Sequence, residues 1–223
     1  LASSENKVGN MLASLARHEE ALKPYRSALM ARQQVLALTP DLSRPKRDVV
    51  VSLINLAAAR TTLEQYADAL ELYRQALPLQ LSLQATTANA DWDADLANTY
   101  NRIGELSNLL KQPASEVMAS HVAARTLLSA LLASADKADT ATITARQRDL
   151  VMTQQFIGDL HRKQNQYTDA LASYQAALAI ARKLIEQDAS VNLWQHDLAN
   201  TWSRMAELQK LHEGRASYQV SNE

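Results

Sequence analysis

The sequence contains no cysteine, only four glycines, five prolines and one phenylalanine among its 223 residues. The lack of cysteine excludes disulfides and cysteine-based metal sites. The shortage of glycine and proline leaves few helix breakers, and the sequence is instead rich in alanine and leucine, which favour helices over strands. We therefore predict an all-α chain.

The sequence also lacks an excess of charge and a long apolar run. Its net charge is −1 and its pI is about 6.6, so it has no basic surplus of the kind that binds nucleic acid or an anionic membrane surface. No segment approaches the roughly 18 apolar residues of a transmembrane helix. We predict no nucleic-acid partner, no membrane partner and a cytoplasmic location, where a chain without disulfides is at home.

A pattern of small residues and tyrosine recurs along the chain. Gly158 is followed at 12, 16 and 19 residues by Ala170, Tyr174 and Ala177. The small residue that begins the pattern is called the anchor below, and the five anchors are Gly9, Ala57, Gly104, Gly158 and Ala206. They lie 48, 47, 54 and 48 residues apart. A period of this kind indicates a stacked array of repeats.

Apolar spacing and turn residues predict two helices in the fourth repeat. The first helix is expected from about residue 140 to 163, the turn at 164–166, and the second helix from about 167 to 187. Small residues at the anchor and 12 positions later allow the two antiparallel helices to cross closely. Asp91 and Thr140 are predicted to cap the first helices of the third and fourth repeats.

The residues that could carry catalysis are better explained by the repeat. The five histidines lack the spacing of metal ligands, so no metal site and no cofactor are predicted. His196 and Asp197 are adjacent, and adjacent helical side chains point about 100° apart. Aspartate recurs nine residues before four of the anchors, at Asp48, Asp95, Asp149 and Asp197. We interpret these aspartates as structural partners of Arg or Lys in a neighbouring repeat, and predict no enzymatic activity.

The anchors and their companions resemble the tetratricopeptide repeat (TPR) family. A large apolar residue precedes each anchor, as in Ile157-Gly158, and alanine and tyrosine follow in the second helix, as in Ala170 and Tyr174. The family's usual period is 34 residues, so each unit here is about fourteen longer, which longer helices would explain. The W-x-x-D-L segments that begin at Trp92 and Trp194 are similar to those of bacterial arrays, which are often attached to signalling enzymes such as Ser/Thr kinases.

The resemblance implies a right-handed α-solenoid of antiparallel helical hairpins with about nine helices. We predict one repeat domain over residues 1–223, with four repeats and a partial fifth at 1–42, 43–90, 91–138, 139–189 and 190–223. Leu1 stands at the repeat position of Leu96, Leu150 and Leu198, and the fifth repeat stops before its second helix is complete. The sequence therefore predicts a piece of a longer protein.

The family resemblance also implies a concave groove, lined by the first helices, that binds an extended peptide. Carried over to this sequence, the predicted partner-binding residues are Asn6, Asn10, Val51, Ile54, Asn98, Asn101, Glu105, Asn108, Gln155, Asp159, Arg162, Lys163 and Asn200. An asparagine amide both donates to and accepts from a peptide backbone, and Val51 with Ile54 would hold one apolar side chain. The alternative interpretation is that the asparagines are solvated and the two apolar residues pack on neighbouring helices.

Two functions follow as hypotheses. The first is a non-catalytic scaffold that binds a peptide or protein partner in the groove. The second is a regulatory or dimerisation arm of a larger signalling enzyme, such as a bacterial Ser/Thr kinase, that associates with itself or with an upstream catalytic domain. The lysine–asparagine clamp that some family members use on C-terminal carboxylates has no match at the groove positions, so a chaperone tail is disfavoured as the ligand.

Overall fold

The computed structural model describes residues 2–135 and 138–220, with side chains described through residue 211. These residues form nine helices and no strand: α1 (Ala2–Ser14), α2 (His18–Leu38), α3 (Ser43–Thr62), α4 (Tyr66–Thr86), α5 (Ala90–Leu109), α6 (Ala114–Ala133), α7 (Thr140–Lys163), α8 (Tyr167–Gln187) and α9 (Asn192–Val220). The all-α fold class is confirmed. The predicted limits of the two helices in the fourth repeat agree with those of α7 and α8.

A tight turn of one conformation follows the first helix in each of the first four repeats. The residue seven positions after the anchor has a positive φ in every case: 58° at Ala16, 59° at Glu64, 55° at Lys111 and 61° at Asn165. The next residue donates its backbone N–H to a carbonyl five positions earlier, at 2.8 to 2.9 Å. This is the Schellman arrangement, which usually has glycine at the left-handed position. Three of the four turns use residues that rarely adopt this conformation, and the sequence therefore gave no sign of it.

Tyrosine packs directly on the glycine anchor within a hairpin. A Cβ atom built on Gly158 would lie 2.4 Å from Cε1 of Tyr174, and one built on Gly9 would lie 2.5 Å from the ring of Tyr25. Both tyrosines are buried. Glycine is required at these two anchors because the ring of the second helix occupies the space that a methyl group would need.

Two of the predicted helix caps are wrong. The side chain of Asn89, not Asp91, accepts the backbone N–H groups at the start of α5. At the start of α7 the cap is Asp139 rather than Thr140, and its carboxylate accepts the N–H of Thr142 at 2.8 Å. Asn89 and Asp139 stand two positions and one position before the predicted caps, because the N-cap residue lies just before the first helical residue.

The chain forms two compact units, residues 1–120 and 121–223, and the division falls inside α6. In the first unit α1 packs on α2 and α3 packs on α4, with Tyr25, Leu53 and Leu56 in its core. In the second unit α7 packs on α8 and α9, with Tyr174 and Leu208 in its core. The assignment of the whole chain to a single domain remains a prediction.

Candidate partner-binding surface

The residue after the anchor is a hydrogen-bond acceptor for the tyrosine of its own hairpin. The hydroxyl of Tyr174 donates to Oδ1 of Asp159 at 2.7 Å, and that of Tyr25 donates to Oδ1 of Asn10 at 3.0 Å. Burial, and then the bond to Asp159, raise the pKa of Tyr174 above its ordinary value. Asn10 and Asp159, both predicted to bind a partner, therefore stabilise their own repeats.

The same two acceptors also receive a donor from the first helix of the next repeat. Nε of Arg204 donates to Oδ2 of Asp159 at 3.1 Å, and Nδ2 of Asn55 donates to Oδ1 of Asn10 at 3.3 Å. Arg204 and Asn55 each stand two residues before an anchor. This cross-repeat pair was missed, although polar residues at that fixed position could have indicated it.

Gln155 joins the fourth repeat to the fifth. Its side chain is buried, and its Nε2 donates to the backbone carbonyl of Asp197 at 3.1 Å and to the hydroxyl of Thr201 at 2.7 Å. The carboxylate of Asp197 in turn accepts Nε of Arg148 at 2.7 Å. The predicted pairing of a repeat aspartate with a neighbouring arginine is thus confirmed for Asp197.

A buried hydroxyl five residues before the anchor was also missed. Ser52, Thr99, Thr153 and Thr201 occupy this position and are all buried. The three threonines donate to the carbonyl of the aspartate four residues earlier, at 3.1, 2.7 and 2.8 Å. The recurrence of Ser or Thr at one repeat position was the available signal. Ser52 and Thr201 also accept a hydrogen bond from the preceding repeat, from Arg32 and Gln155.

The remaining predicted residues of the second unit lie closer to solvent. Arg162 is within 3.6 Å of Glu207 in α9 and 4.0 Å of Asp159, distances at which a partly exposed pair contributes about 1 kcal/mol or less. Lys163 is exposed, and the amide of Asn200 lies 3.1 Å from Nδ1 of His196. This part of the surface is charged and already paired within the unit.

The predicted asparagines of the first unit differ in exposure. Asn6 is buried, and its Oδ1 accepts Nδ2 of Asn55 at 3.2 Å. Asn98 and Asn108 are exposed, whereas Asn101 is half-buried. Glu105 accepts NH1 of Arg102 at 2.8 Å on its own helix. Of this group, Asn98 and Asn108 offer the most accessible amides on α5.

Val51 and Ile54 both line one cavity, and Ile54 also packs against the buried core of the first unit, as the alternative interpretation expects. The cavity has a volume of about 200 Å³ and lies between α3, α4 and α5. It is lined by Arg47, Val50, Val51, Ile54, Asn55, Gln80, Leu83, Trp92 and Asp95. The guanidinium of Arg47 lies 5.8 Å from the centre of the Trp92 ring, a cation–π distance. Trp92, the first residue of a W-x-x-D-L segment, thus forms a wall of this cavity.

A second and wider cavity, of about 730 Å³, lies in the second unit between α9 and the start of α8. Leu171 and Trp202 border it and are 38 % and 46 % exposed. Leu22 and Leu70, at the same repeat position as Leu171, are 5 % and 2 % exposed. The apolar position that other repeats cover is therefore open in the fourth repeat.

Within residues 2–135 and 138–211, no group of three or more His, Asp or Glu side chains is placed to hold a metal ion. None of the helices in that part of the chain is long and apolar enough to cross a membrane. The buried imidazole of His121 stacks on the ring of Phe156 with centroids 5.1 Å apart. Burial lowers the pKa of His121 to about 4, which is the behaviour of a core histidine held neutral.

Comparison with solved structures extends over the whole chain. BtubC (BKLC) from P. vanneervenii has a TM-score of 0.64 at 16 % identity, covering all of this chain and 80 % of that one. A putative kinesin light chain from Podosopora anserina, with nearly identical TPR-like repeats, has a TM-score of 0.57 at 17 % identity, covering 99 % and 96 %. Yeast Hif1 has a TM-score of 0.62 at 14 % identity, covering 93 % and 94 %. At such identities the likeness shows the fold.

No curated protein matches the sequence at a significant level. The sequence model of the tetratricopeptide repeat matches residues 49–80 and 151–188, which are the stretches from α3 into α4 and from α7 to just past the end of α8. The family resemblance drawn from the anchors is confirmed: two stretches of the chain match the tetratricopeptide repeat, and the fold is that of TPR-like proteins. The relation to bacterial arrays stays a prediction.

Proposed function

We propose that the chain is a non-catalytic scaffold that binds an extended segment of a protein partner along the first helices of its first unit. The observation that carries this proposal is the cavity lined by Val51 and Ile54. Asn98 lies one turn along α5 from Asp95, a residue of the same cavity, and is exposed. An apolar cavity beside a free amide is what an extended peptide needs for one anchoring side chain and one backbone contact.

The solved structures that share this fold support a scaffold. The Hif1 structure is described as that of a histone chaperone and scaffold protein that recruits protein complexes to core histones. For the present chain, Asn6, Asn10 and Gln155 make hydrogen bonds within the protein, and the proposed site is therefore placed at the exposed residues Val51 of α3 and Asn98 of α5. This is narrower than the groove along all first helices that the sequence predicts.

Selection of peptides from a random displayed library would test the proposal. Selected peptides should lose at least tenfold in affinity, measured by fluorescence polarisation, in Val51→Glu and in the double variant Asn98→Ala plus Asn101→Ala. The matched control is Gln33→Ala plus Gln34→Ala, which removes two exposed amides from the second helix α2 and should change nothing. Peptides that bind all variants equally would exclude this surface.

The alternative of a dimerisation arm is favoured by the open cavity in the second unit. Leu171 and Trp202 expose apolar surface there that a second copy of the chain would cover. Light scattering across a range of concentrations should then show a dimer for the wild type and a monomer for Leu171→Lys. A wild-type chain that stays monomeric at all concentrations would eliminate the dimer.

A further inference from the structure

The cavity in the first unit is lined by one buried amide, that of Gln80, which has no hydrogen-bond partner among the described residues. Gln80 lies on α4, is 5 % exposed and lines the cavity. Neither its side-chain nitrogen nor its side-chain oxygen makes a hydrogen bond within the described part of the protein. A buried amide in this state has lost its hydrogen bonds to water without replacing them, which destabilises the fold. Its position at a cavity points to a partner from outside the chain.

The repeat register explains how this amide comes to be unpaired. Gln80 stands 23 residues after its anchor, the position that Arg32 occupies in the first repeat. NH1 of Arg32 donates to the carbonyl of Asp48 at 2.9 Å and to the hydroxyl of Ser52 at 2.7 Å. An arginine at this position therefore reaches the aspartate carbonyl and the buried hydroxyl of the next repeat.

In the second unit, the equivalent carbonyl and hydroxyl accept hydrogen bonds from a different repeat position. The carbonyl of Asp197 and the hydroxyl of Thr201 are reached by Gln155, three residues before its anchor. The position 23 residues after that anchor is Ala181, which is fully buried. The boundary of the first and second repeats thus has a donor from the second helix, Arg32. The boundary of the fourth and fifth repeats has a donor from the first helix, Gln155.

Between the second and third repeats neither donor reaches across. Ile54 takes the position of Gln155 and has no hydrogen-bonding group, while Gln80 takes the position of Arg32. The hydroxyl of Thr99 donates to the carbonyl of Asp95 at 3.1 Å, but no donor from the second repeat joins them within the described residues. The cavity and its unpaired amide occur together at this boundary.

The size and lining of the cavity define the group that fits it. Its walls include Val50, Val51, Ile54, Leu83 and Trp92, which favour an apolar ring. An apolar cavity of about 150 Å³ is enough to hold benzene, so about 200 Å³ accommodates a ring that bears one more polar atom. The amide of Gln80 offers both a donor and an acceptor, and a phenol hydroxyl offers the same two. A phenol therefore satisfies the ring-shaped volume and the amide at once.

The charges at the cavity exclude an ionised ligand. Arg47 and Asp95 both line it, so its charged groups are of opposite sign. The guanidinium of Arg47 already lies over the ring of Trp92. A doubly negative phosphate would meet the Asp95 carboxylate and a neutral amide, and the single positive charge of Arg47 would not balance both anions, so the phosphate would lose its hydration without a matching charge. The expected occupant is neutral.

We propose that this cavity receives the side chain of a tyrosine from an extended partner segment, with its ring against Ile54 and Trp92 and its hydroxyl hydrogen-bonded to the amide of Gln80. The proposal rests on the proposed function, because it identifies the anchoring side chain of a peptide bound at α3 and α5. It also predicts that phosphorylation of the partner tyrosine prevents binding.

Three small probes test the cavity without a partner protein. N-acetyltyrosinamide, N-acetylphenylalaninamide and N-acetyl-O-phosphotyrosinamide are titrated into the chain, and the Trp92 indole N–H and the Gln80 side-chain amide are followed by NMR. Both signals should shift with the tyrosine probe, which should bind roughly 3- to 10-fold more tightly than the phenylalanine probe, the worth of one hydrogen bond. The phosphorylated probe should leave both signals unchanged.

Two variants separate the amide from the cavity. Gln80→Leu should raise the melting temperature, because it removes an unpaired buried amide, and should abolish the preference for tyrosine over phenylalanine. Ile54→Gln introduces the glutamine that the fourth repeat has at this position. It should block all probes by extending a polar amide across the cavity toward Asp95 and Thr99, with the melting temperature retained. Gln33→Ala, on the exposed face of α2, is the control that should bind as the wild type does.

Equal binding of the tyrosine and phenylalanine probes, or a preference that survives in Gln80→Leu, would overturn the proposal. A Trp92 signal that does not move with any probe would show that the cavity holds solvent only, which also overturns it. Neither result changes the outcome of the peptide-library test, which uses the Asn98 and Val51 variants to detect peptide binding anywhere on this surface. Failure of the tyrosine site and failure of the scaffold function can therefore be distinguished.

Discussion

The boundary between the fourth and fifth repeats and that between the second and third have the same register but different chemistry. In the second unit, Gln155 bridges to Asp197 and Thr201, and Asp197 also accepts Arg148. In the first unit, Ile54 stands in place of Gln155 and borders a cavity with an unpaired Gln80. The same repeat position thus holds a bridging glutamine at one boundary and an isoleucine beside a cavity at the other. The proposed binding site therefore lies at a boundary that lacks the polar bridge of its counterpart.

Acidification should distinguish the two units most strongly. Burial lowers the pKa of His121 to about 4, below the ordinary value of about 6.5. Since the unfolded chain binds the proton more readily, the second unit should be fully stable above pH 6.5. It should then lose up to about 3 kcal/mol as the pH falls to 4. Hydrogen exchange at a series of pH values measures the free energy of unfolding of each unit separately. The variant His121→Phe should remove the loss of stability at low pH.

Exchange that accelerates equally in both units, or acid sensitivity that persists in His121→Phe, would contradict that assignment. The half-buried His18 of the first unit provides the matched control, since His18→Phe should leave the pH profile of the second unit unchanged.

Removal of the buried carboxylate at the closed boundary should have the next largest effect. Asp197→Ala leaves Arg148 without its 2.7 Å partner and should cost about 2–3 kcal/mol, less than a fully buried pair because Arg148 is partly exposed. Asp95→Ala, at the same repeat position but exposed, should cost about 1 kcal/mol or less. Urea unfolding gives both values. Equal losses would mean that the two boundaries are energetically alike.

Substitution of the glycine anchor tests the packing within hairpins. In Gly158→Ala the new Cβ would lie 2.4 Å from the Tyr174 ring. Overpacking should outweigh the gain in helix propensity and destabilise the fold by about 1–2 kcal/mol. Ala57→Gly, at the anchor of the second repeat, should cost about 1 kcal/mol for the opposite reason, the loss of helix propensity. Thermal unfolding of both variants provides the measurement, and a stabilised Gly158→Ala would show that Tyr174 can move aside.

An exchange of the two residues that distinguish the boundaries should have the smallest effect. Gln155→Ile removes two hydrogen bonds and should cost about 1–2 kcal/mol. Ile54→Gln offers the same donor to the Asp95 carbonyl and Thr99 hydroxyl, and should be neutral or stabilising by about 1 kcal/mol. Urea midpoints decide between these outcomes. A large loss in Ile54→Gln would show that the backbones of the two boundaries differ as well as their side chains.

The limits of α7 and α8 were predictable because helices are specified locally, by apolar spacing and by the residues that interrupt it. The left-handed turn residues Ala16, Glu64 and Lys111 were not, because only one of the four such positions, Asn165, has a residue that favours this conformation. At Ala16, Glu64 and Lys111 the packing of the two helices imposes a left-handed backbone conformation that these residues disfavour.

The candidate site was predictable in part. Val51 and Ile54 were expected to form an apolar patch, and both line the cavity. Gln80 escaped notice because a glutamine on a second helix is ordinarily solvated, and only the packing of α3, α4 and α5 buries it. Asn6 and Gln155 stand three residues before their anchors and are buried, whereas Asn98 stands six before and is exposed. The sequence predicted both positions to face the groove, and only the packing of the next repeat separates them.

The sequence by itself determined the helical repeat and its register, because small anchors, tyrosines and aspartates recur at fixed distances along the chain. The tertiary structure decided which polar residues are used. A hydrogen bond between repeats depends on two side chains that are about 45 residues apart, as Asp159 and Arg204 are, and on whether each can reach the other. At the boundary of the second and third repeats Gln84 still donates to Asp93, but neither Ile54 nor Gln80 bonds to the carbonyl of Asp95 or the hydroxyl of Thr99. The cavity lies at this boundary.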